Sequence, residues 1–186
     1  MQQCVFWDVV GTPVGPIGLA ATERGLCRVA FRCRAERFAG ELEKQGLRPT
    51  RGGEPIRPAV EQLRRYLAGE RIELDVPVEF LGGTPFQRRV WRALRRIGYG
   101  QTRSYAWLAA AVGAPRAVRA VGQANGKNPV PIFCPCHRVI RSDGTLGGFS
   151  AGIGIKGFLL HLEGNDVRTS HVARQHVSTS RGRKVW

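Results

Sequence analysis

Residues 129–140 read PVPIFCPCHRVI, a short run that holds two cysteines and a histidine between prolines. Cys134 and Cys136 are two positions apart, and His137 follows the second cysteine directly. The prolines stiffen the chain around these side chains. Such a run is compatible with a metal site, an oxidised hairpin, a packed apolar strand or a thiol held ready to react, and the surrounding sequence distinguishes these possibilities.

A metal site is the weakest of these possibilities. The spacing C-x-C-H lacks the two-residue gap of structural zinc sites, and no second ligand pair follows at regular spacing. A disulfide between Cys134 and Cys136 would be strained because they are so close along the chain. The chain has five cysteines, an odd number, and its start lacks a basic leader, which favours reduced thiols in the cytoplasm. A reactive thiol needs a base, and His137 would receive its proton through a water.

A carboxylate further along the chain is a candidate partner for His137. The sequence GIGIKGFLLHLEG (152–164) predicts a helix whose buried stripe consists of Ile155, Phe158, Leu159 and Leu162. Glu163 lies one turn after Leu159, at the helix C-terminus, where the helix dipole disfavours a negative charge. This carboxylate therefore requires a cationic or hydrogen-bonding partner. His137 would serve, and an exposed glutamate or a pair with a nearby arginine is an equal alternative.

Two short helices are predicted before the cysteine loop. Ser104 is a good N-cap for the first, which Gly113 ends, and Pro115 is predicted to start the second, which runs to about Ala124. Two helices joined by a tight turn that contains glycine form a helix-turn-helix. The motif is common, but the charge of this chain raises the expectation that it binds a nucleic acid duplex.

The second of these helices is unusual because its side chains are small, namely Ala117, Ala120, Val121, Gly122 and Ala124. A reader of the major groove would offer polar side chains to the base edges, whereas small residues allow close approach to the narrow minor groove. The alternative is that these residues pack in the core, Val118 and Val121 especially. Arg119 is the large exception, and it could enter a base stack in place of a removed base.

The chain is strongly basic, with 29 Lys+Arg against 14 Asp+Glu and a net charge of +15. This excess favours a polyanionic partner, although a solvated basic surface is the alternative. The helix that begins at Thr84 and Pro85 carries three arginines on one face, Arg88, Arg92 and Arg95. No apolar run approaches the roughly 20 residues of a membrane span.

The first half of the chain is predicted to be a scaffold. Short β-type runs at 4–10, 16–22 and 26–31 favour an antiparallel meander of three strands. One helix is predicted at about 34–45, and a second carries its apolar residues on one face and ends before Gly69. Residues 71–80 are predicted to form a strand or an extended connector.

Five motifs resemble, in order and spacing, the O6-alkylguanine-DNA alkyltransferase family (methylated-DNA–protein-cysteine methyltransferases). They are GTPFQRRVWRAL, SYAWLA, RAVGQA, NPVPIFCPCHRVI and KGFLLHLEG, and they span residues 83–164. The resemblance implies an α+β fold. A small N-terminal α/β (RNase H-like) domain is expected at residues 1–82. A mainly helical, winged helix-turn-helix-like DNA-binding domain that carries the active-site loop is expected at 83–165, followed by a flexible basic tail at 166–186.

The resemblance also implies roles for individual residues. Cys136 is similar to the alkyl acceptor, with His137 as its base, Glu163 holding the imidazole, and Asn128 joining the helix-turn-helix to the active-site loop. Substrate binding is expected from Tyr105, which donates to the flipped purine, and from the pocket residues Val139, Phe149 and Ser150. DNA contacts are expected from Arg119, which fills the vacated stack, and from Ala120, Gly122, Thr84 and Gln87.

The implied function is direct reversal of DNA damage. The alkyl group of O6-alkylguanine, and less well of O4-alkylthymine, would pass to Cys136 once and inactivate the protein. The expected partner is double-stranded DNA bound through the minor groove by a monomer, without a membrane, a metal or a cofactor. Cys134 and Phe149 depart from the family pattern, which usually has an apolar residue and often Tyr at these positions. A lesion-binding protein without transfer is the main rival, and the presence of Cys136 argues against it.

Overall fold

The computed structural model describes residues 2–165, so the predicted basic tail at 166–186 lies outside the described residues. The N-terminal half consists of β1 (Gln3–Val10), β2 (Ile17–Thr22), β3 (Gly25–Phe31), α1 (Ala35–Lys44), β4 (Leu47–Arg51) and α2 (Arg57–Leu67). The C-terminal half consists of α3 (Pro85–Leu94), β5 (Arg103–Ser104), α4 (Tyr105–Ala111), α5 (Val118–Gly126), a 3-10 turn (Cys136–Arg138), β6 (Val139–Ile140) and α6 (Ile153–Leu162).

The N-terminal sheet has the strand order β3-β2-β1-β4. The predicted meander is confirmed, since β1, β2 and β3 pair antiparallel in sequence order. The fourth strand, β4, pairs parallel to β1 and was not predicted. Its sequence LRPTR contains a proline and two arginines, which a sheet tolerates at an edge, where amides and charges face water. Residues 71–80 form a connector with one isolated bridge, between Leu26 and Val78.

Both faces of this sheet are covered, which explains why β2 is buried along its whole length. Alternation along the strand sends Ala20 to one face and Leu19 and Ala21 to the other. The first face packs against α1 through Phe38. The second face shares one continuous core with α2 and with the C-terminal helices. The two halves of the chain are therefore packed together through the sheet and α2.

The helix-turn-helix is formed by α4 and α5 and packs on α3. Thr84 begins α3 with a reciprocal capping box, in which its hydroxyl accepts from the Gln87 amide and its amide donates to the Gln87 side chain. Ser104 caps α4 by accepting from the amide of Trp107. The prediction that Pro115 starts the next helix is wrong, because residues 114–117 form a turn and α5 begins only at Val118.

The last helix, α6, buries a different face from the one that its apolar pattern predicted. Ile155 and Leu159 are buried as expected, whereas Phe158 and Leu162 are only partly buried. Leu160 and the charged Lys156 take their places in the interior. Within residues 2–165, every helix is too short or too polar to cross a membrane.

Candidate active site

The loop between α5 and the 3-10 turn gives its two cysteines different environments. Cys136 opens the 3-10 turn and lines a cavity of about 720 Å³. Cys134 is completely buried and does not line this cavity. Burial raises the pKa of the Cys134 thiol to about 12. Cys136 is therefore the loop thiol that a molecule in the cavity would meet.

Two asparagines hold the loop in place. Asn128, just after α5, donates from Nδ2 to the Cys134 carbonyl at 2.7 Å and accepts from the Val130 amide at 3.1 Å. Asn125, within α5, directs its Nδ2 to the Cys136 carbonyl at 3.5 Å. Ile132 has a φ of 74°, a conformation that costs a β-branched residue free energy and persists only where neighbours enforce it. The hydrogen bonds of Asn125 and Asn128 thus join the helix-turn-helix to the loop that carries Cys136.

His137 and Glu163 meet in the interior behind Cys136. The His137 Nε2 atom lies 3.0 Å from Glu163 Oε1, and both side chains are completely buried. Because Nε2 faces a carboxylate, it carries the ring proton, which leaves Nδ1 as the acceptor. Among the described residues Nδ1 has no hydrogen-bond partner. A free lone pair on the histidine that directly follows Cys136 is available to a general base.

Arg138 completes this buried cluster. Its Nε donates to Glu163 Oε2 at 2.9 Å, and its Nη2 donates to Glu163 Oε1 at 2.8 Å. Burial raises the pKa of Glu163, but hydrogen bonds from His137 and Arg138 outweigh it and lower the pKa to about 2. Burial lowers the pKa of His137 in spite of its carboxylate partner. At neutral pH the cluster therefore combines an ionised carboxylate with a neutral imidazole.

The Cys136 thiol is protonated in the resting protein. Burial raises its pKa to about 11, while a hydrogen bond with Asn128 and the positive charge of Lys156 oppose that shift. Any nucleophilic reaction at this sulfur therefore requires a base to take the proton. His137 is the neutral buried base next to it.

Lys156 is a site residue that the sequence reasoning missed. It is completely buried in α6 and its ammonium donates to the carbonyls of Val139, at 2.6 Å, and Leu146. Burial lowers its pKa to about 8. The signal was available, because a lysine between Ile155 and Leu159 falls on the face of α6 that the apolar pattern buries.

The rim of the cavity is formed by Tyr105, at the start of α4, and by residues 147–150. Gly147 has a φ of 65°, and a β-carbon there would lie 3.1 Å from the Tyr105 ring, so this position requires glycine. Phe149 packs edge-on against Phe31 of β3, with ring centroids 6.0 Å apart. The expected pocket residues Tyr105, Phe149 and Ser150 thus come together around Cys136.

Several predicted site residues do not line the cavity, among them Val139, Thr84 and Gln87. Val139 is completely buried and does not line the cavity, where the resemblance had placed it. The backbone carbonyl of Val139 instead accepts a hydrogen bond from the ammonium of Lys156. Thr84 is exposed and Gln87 is half-buried at the start of α3, where their side chains form the capping box.

Two protein-family models together match almost the whole described chain. The "6-O-methylguanine DNA methyltransferase, ribonuclease-like domain" matches residues 5–80, and the "DNA binding domain" of the same family matches residues 85–165. The chain belongs to the 6-O-methylguanine DNA methyltransferase family. The expected order of an RNase-like α/β domain and a helical DNA-binding domain is thereby confirmed.

Relatives of this methyltransferase family cover most of the chain. The methylated-DNA–protein-cysteine methyltransferase of Methanosarcina barkeri is 43% identical over 169 residues, which are 88% of this chain and 100% of that protein. The structure of Mycobacterium tuberculosis OGT in complex with DNA has 42% identity and a TM-score of 0.73, covering 85% of this chain and 92% of that one. The O6-methylguanine-DNA methyltransferase of Pyrococcus kodakaraensis has 26% identity and a TM-score of 0.64, covering 87% and 99%.

In this methyltransferase the small residues of α5 divide between two faces. Val121 and Ala124 are buried in the core, so the packing alternative holds for them. Val118 lies on the outer face at 38% exposure, contrary to that alternative. Arg119 and Ala120 are also exposed, and Gly122 is half-buried at the cavity mouth. The open face of α5 therefore includes Val118, Arg119, Ala120 and Gly122.

Charge is divided unevenly between the two halves of the chain. Residues 2–84 contain 12 Lys+Arg and 11 Asp+Glu, whereas residues 85–165 contain 12 Lys+Arg and only two Asp+Glu. One of these two acids, Glu163, is buried, so Asp143 is the one exposed carboxylate of the second segment. The DNA-binding domain is therefore the basic half of the described chain, as binding to a polyanion requires.

Proposed function

We propose that this chain repairs DNA by direct reversal, transferring the alkyl group of O6-alkylguanine to the thiol of Cys136. The observation that carries the proposal is the position of Cys136, which lines the cavity and is followed in the 3-10 turn by the buried His137. Membership of the methyltransferase family supports the reaction class. Residues 1–82 would serve as the supporting domain, and residues 83–165 would carry the reaction.

The recessed position of Cys136 requires that the damaged base leave the duplex. The O6 atom of a stacked guanine cannot reach a sulfur at the bottom of a cavity, so the nucleotide must rotate out of the helix. An alkylated guanine pairs poorly, which reduces the free energy needed for this step. The cavity, at about 720 Å³, lies within the size range of pockets that enclose small molecules.

The reaction begins with removal of the thiol proton. His137 accepts it at Nδ1 through a water, and the ionised Glu163 stabilises the resulting imidazolium. The thiolate attacks the sp3 carbon of the alkyl group, so that the S–C bond forms as the C–O6 bond breaks. The bonding electrons pass to the purine, whose developing negative charge the Tyr105 hydroxyl stabilises by donating a hydrogen bond.

The product explains why the reaction occurs once per molecule. The alkyl group ends in a thioether at Cys136, and the site offers no group that would cleave a thioether. Repair is therefore stoichiometric and inactivates the protein. O4-alkylthymine would be a poorer substrate in the same cavity.

The open face of α5 is the proposed contact with DNA. Its small side chains at Ala120 and Gly122 suit the narrow minor groove, and Arg119 is long enough to fill the space of the extruded base. Thr84 and Gln87 would contact the backbone beside this helix, at the start of α3. The complex of the Mycobacterium tuberculosis relative with DNA supports a DNA partner. We propose a monomer that acts in the cytoplasm.

Mass spectrometry of the protein after incubation with an O6-methylguanine duplex tests this function. One methyl group should appear on the peptide that contains Cys136, and the lesion should disappear in equal amount. Cys136→Ala should take up no label, and Cys134→Ala, the matched change two residues away, should still be methylated. Label on Cys134 would refute the assignment. If the protein bound the lesion and neither of them changed, the protein would be a damage sensor and not a transferase.

A further inference from the structure

We infer that Tyr66, in the N-terminal domain, is a positioning residue that tunes the basicity of His137 by donating to Glu163 and that places a second acceptor beside Nε2. The inference deepens the proposed function, because it rests on His137 as the base for Cys136. Tyr66 lies on α2 and is completely buried in the core that the two halves of the chain share. Nothing in its local sequence, QLRRYLAGE, marks it as more than a core residue.

The Tyr66 hydroxyl contacts both members of the histidine–glutamate pair. It donates to Glu163 Oε1 at 2.7 Å, and its oxygen lies 3.4 Å from His137 Nε2. The direction of the first bond is fixed, because an ionised carboxylate only accepts hydrogen bonds. Burial and the adjacent Glu163 raise the pKa of Tyr66, so the phenol keeps its proton.

This direction supports the tautomer that Glu163 already favours. Since the phenol proton is committed to Glu163, the Tyr66 oxygen presents only lone pairs to Nε2. Nε2 therefore faces two acceptors, the carboxylate and the phenol oxygen. A lone pair on Nε2 would be repelled by both, so the proton lies there and Nδ1 stays free to accept.

Tyr66 also limits how strongly Glu163 attracts a proton onto His137. Glu163 Oε1 accepts from Tyr66, His137 and Arg138, and Oε2 accepts from Arg138 and from the Gly100 amide at 3.3 Å. Each donor spreads the carboxylate charge. Loss of the Tyr66 hydroxyl would concentrate charge on Oε1, stabilise the imidazolium and raise the pKa of His137.

The other ionisable groups around His137 come from its own turn and from α6. They are Cys136, Arg138 and Lys156, with Glu163 at the end of α6. Arg138 and Lys156 oppose a charged imidazole, and Glu163 favours it. Tyr66 is the contribution of the N-terminal domain to this balance, and it comes from outside the segment that carries the family motifs.

The test compares Tyr66→Phe with Tyr99→Phe. Tyr99 is a matched control, because its ring packs edge-on against Tyr66 at 6.2 Å while its hydroxyl donates to the Leu162 carbonyl. Nitrogen-15 NMR of His137 reports the tautomer, and single-turnover transfer from an O6-methylguanine duplex reports the rate across pH. Wild type and Tyr99→Phe should show the Nε2-protonated ring and rates within about twofold of each other.

For Tyr66→Phe we expect Nε2 to keep its proton, because Glu163 still faces it, and the pKa of His137 to rise. The transfer rate at neutral pH should fall about tenfold, and the acid limb of the pH–rate profile should move to higher pH. A loss of packing alone would lower the melting temperature without moving that limb. An unchanged pKa of His137 and an unchanged pH profile in Tyr66→Phe would overturn the inference.

The NMR measurement separates this inference from the proposed function. It is made on the protein without DNA, so a wild-type His137 protonated on Nδ1 would overturn the role of Tyr66 whether or not transfer occurs. Should Tyr66→Phe not fold, 3-fluorotyrosine can replace the tyrosines of Tyr99→Phe. The fluorinated phenol is a stronger donor, so the pKa of His137 should fall, and an unchanged pKa would also overturn the inference.

Discussion

The buried cluster around His137, here the inner end of the site, and the mouth of the Cys136 cavity, its outer end, differ in burial and in the elements that build them. At the inner end, Tyr66, His137, Arg138 and Glu163 are buried and joined by hydrogen bonds, with contributions from both halves of the chain. At the outer end, α5 and residues 147–150 present an exposed arginine, glycines and a serine. Protons are positioned at the inner end, and the duplex is met at the outer end.

This difference predicts how the two ends respond to substitution. A buried hydrogen-bonded charge supports the fold as well as the reaction, because its removal leaves a partner unpaired in the interior. An exposed side chain contributes little to the fold and acts only on its ligand. Changes at the inner end should therefore alter stability and reactivity together, and changes at the outer end should alter substrate use alone.

Glu163→Gln should have the largest effect. We expect the transfer rate to fall by at least about 100-fold, because the imidazolium loses its counter-ion. The free energy of unfolding should fall by about 3 kcal/mol, because Arg138 stays buried without a carboxylate. Single-turnover kinetics and chemical denaturation measure the two quantities. Glu70→Gln, which removes a half-exposed pair with Arg65, should change stability by less than about 1 kcal/mol. If Glu163→Gln kept the free energy of unfolding of the wild type, the expected link between stability and reactivity at the inner end would be contradicted.

The dependence of stability on pH should follow from the same carboxylate. The pKa of Glu163 is about 2 in the folded protein against an ordinary value of 4.5, so the unfolded state binds its proton first as pH falls. The stabilisation, about 3 kcal/mol, is complete above about pH 5 and lost as pH falls towards 2. The lowered pKa of His137 acts in the same direction, beginning at higher pH. Denaturation curves across this range should lose most of their slope in Glu163→Gln, and an unchanged slope would refute the assignment.

Arg119→Ala should have the smallest effect on the protein itself. We expect repair in a duplex to slow by about tenfold, because nothing fills the space that the base leaves. Reaction with free O6-benzylguanine should stay within about twofold of wild type, and the melting temperature should not change, since the side chain is exposed. Arg116→Ala, in the turn before α5, is the matched control. Equal losses of rate with the duplex and with free O6-benzylguanine would refute the proposed insertion of Arg119 into the base stack.

The sequence was sufficient where a local rule applied. The caps at Thr84 and Ser104 marked helix starts that the structure contains. The apolar stripe, by contrast, left an exposed Glu163 as an equal alternative, and the structure buries it. The alternative that Val118 and Val121 both pack in the core holds only for Val121. Val118 is exposed because it is the first residue of α5 and lies at the cavity.

The remaining site residues depend on contacts between distant parts of the chain. Periodicity predicts that Tyr66 is buried beside Leu63 and Leu67, but not that its hydroxyl meets Glu163, 97 positions later. Arg138 follows the motif histidine, and only the folded chain shows that it pairs with the same carboxylate. The edge strand β4 was missed because a proline within five residues argues against a strand unless the partner is known.

The uneven division of charge between the two halves of the chain acts before any contact with DNA. In the field of a duplex, the basic segment 85–165 is attracted while the nearly neutral segment 2–84 is not, so the molecule experiences a torque that turns α5 towards the DNA. Encounters then begin in an orientation close to the productive one. Salt screens this torque over about 8 Å at physiological ionic strength, so the orientational advantage operates only in the last stage of approach.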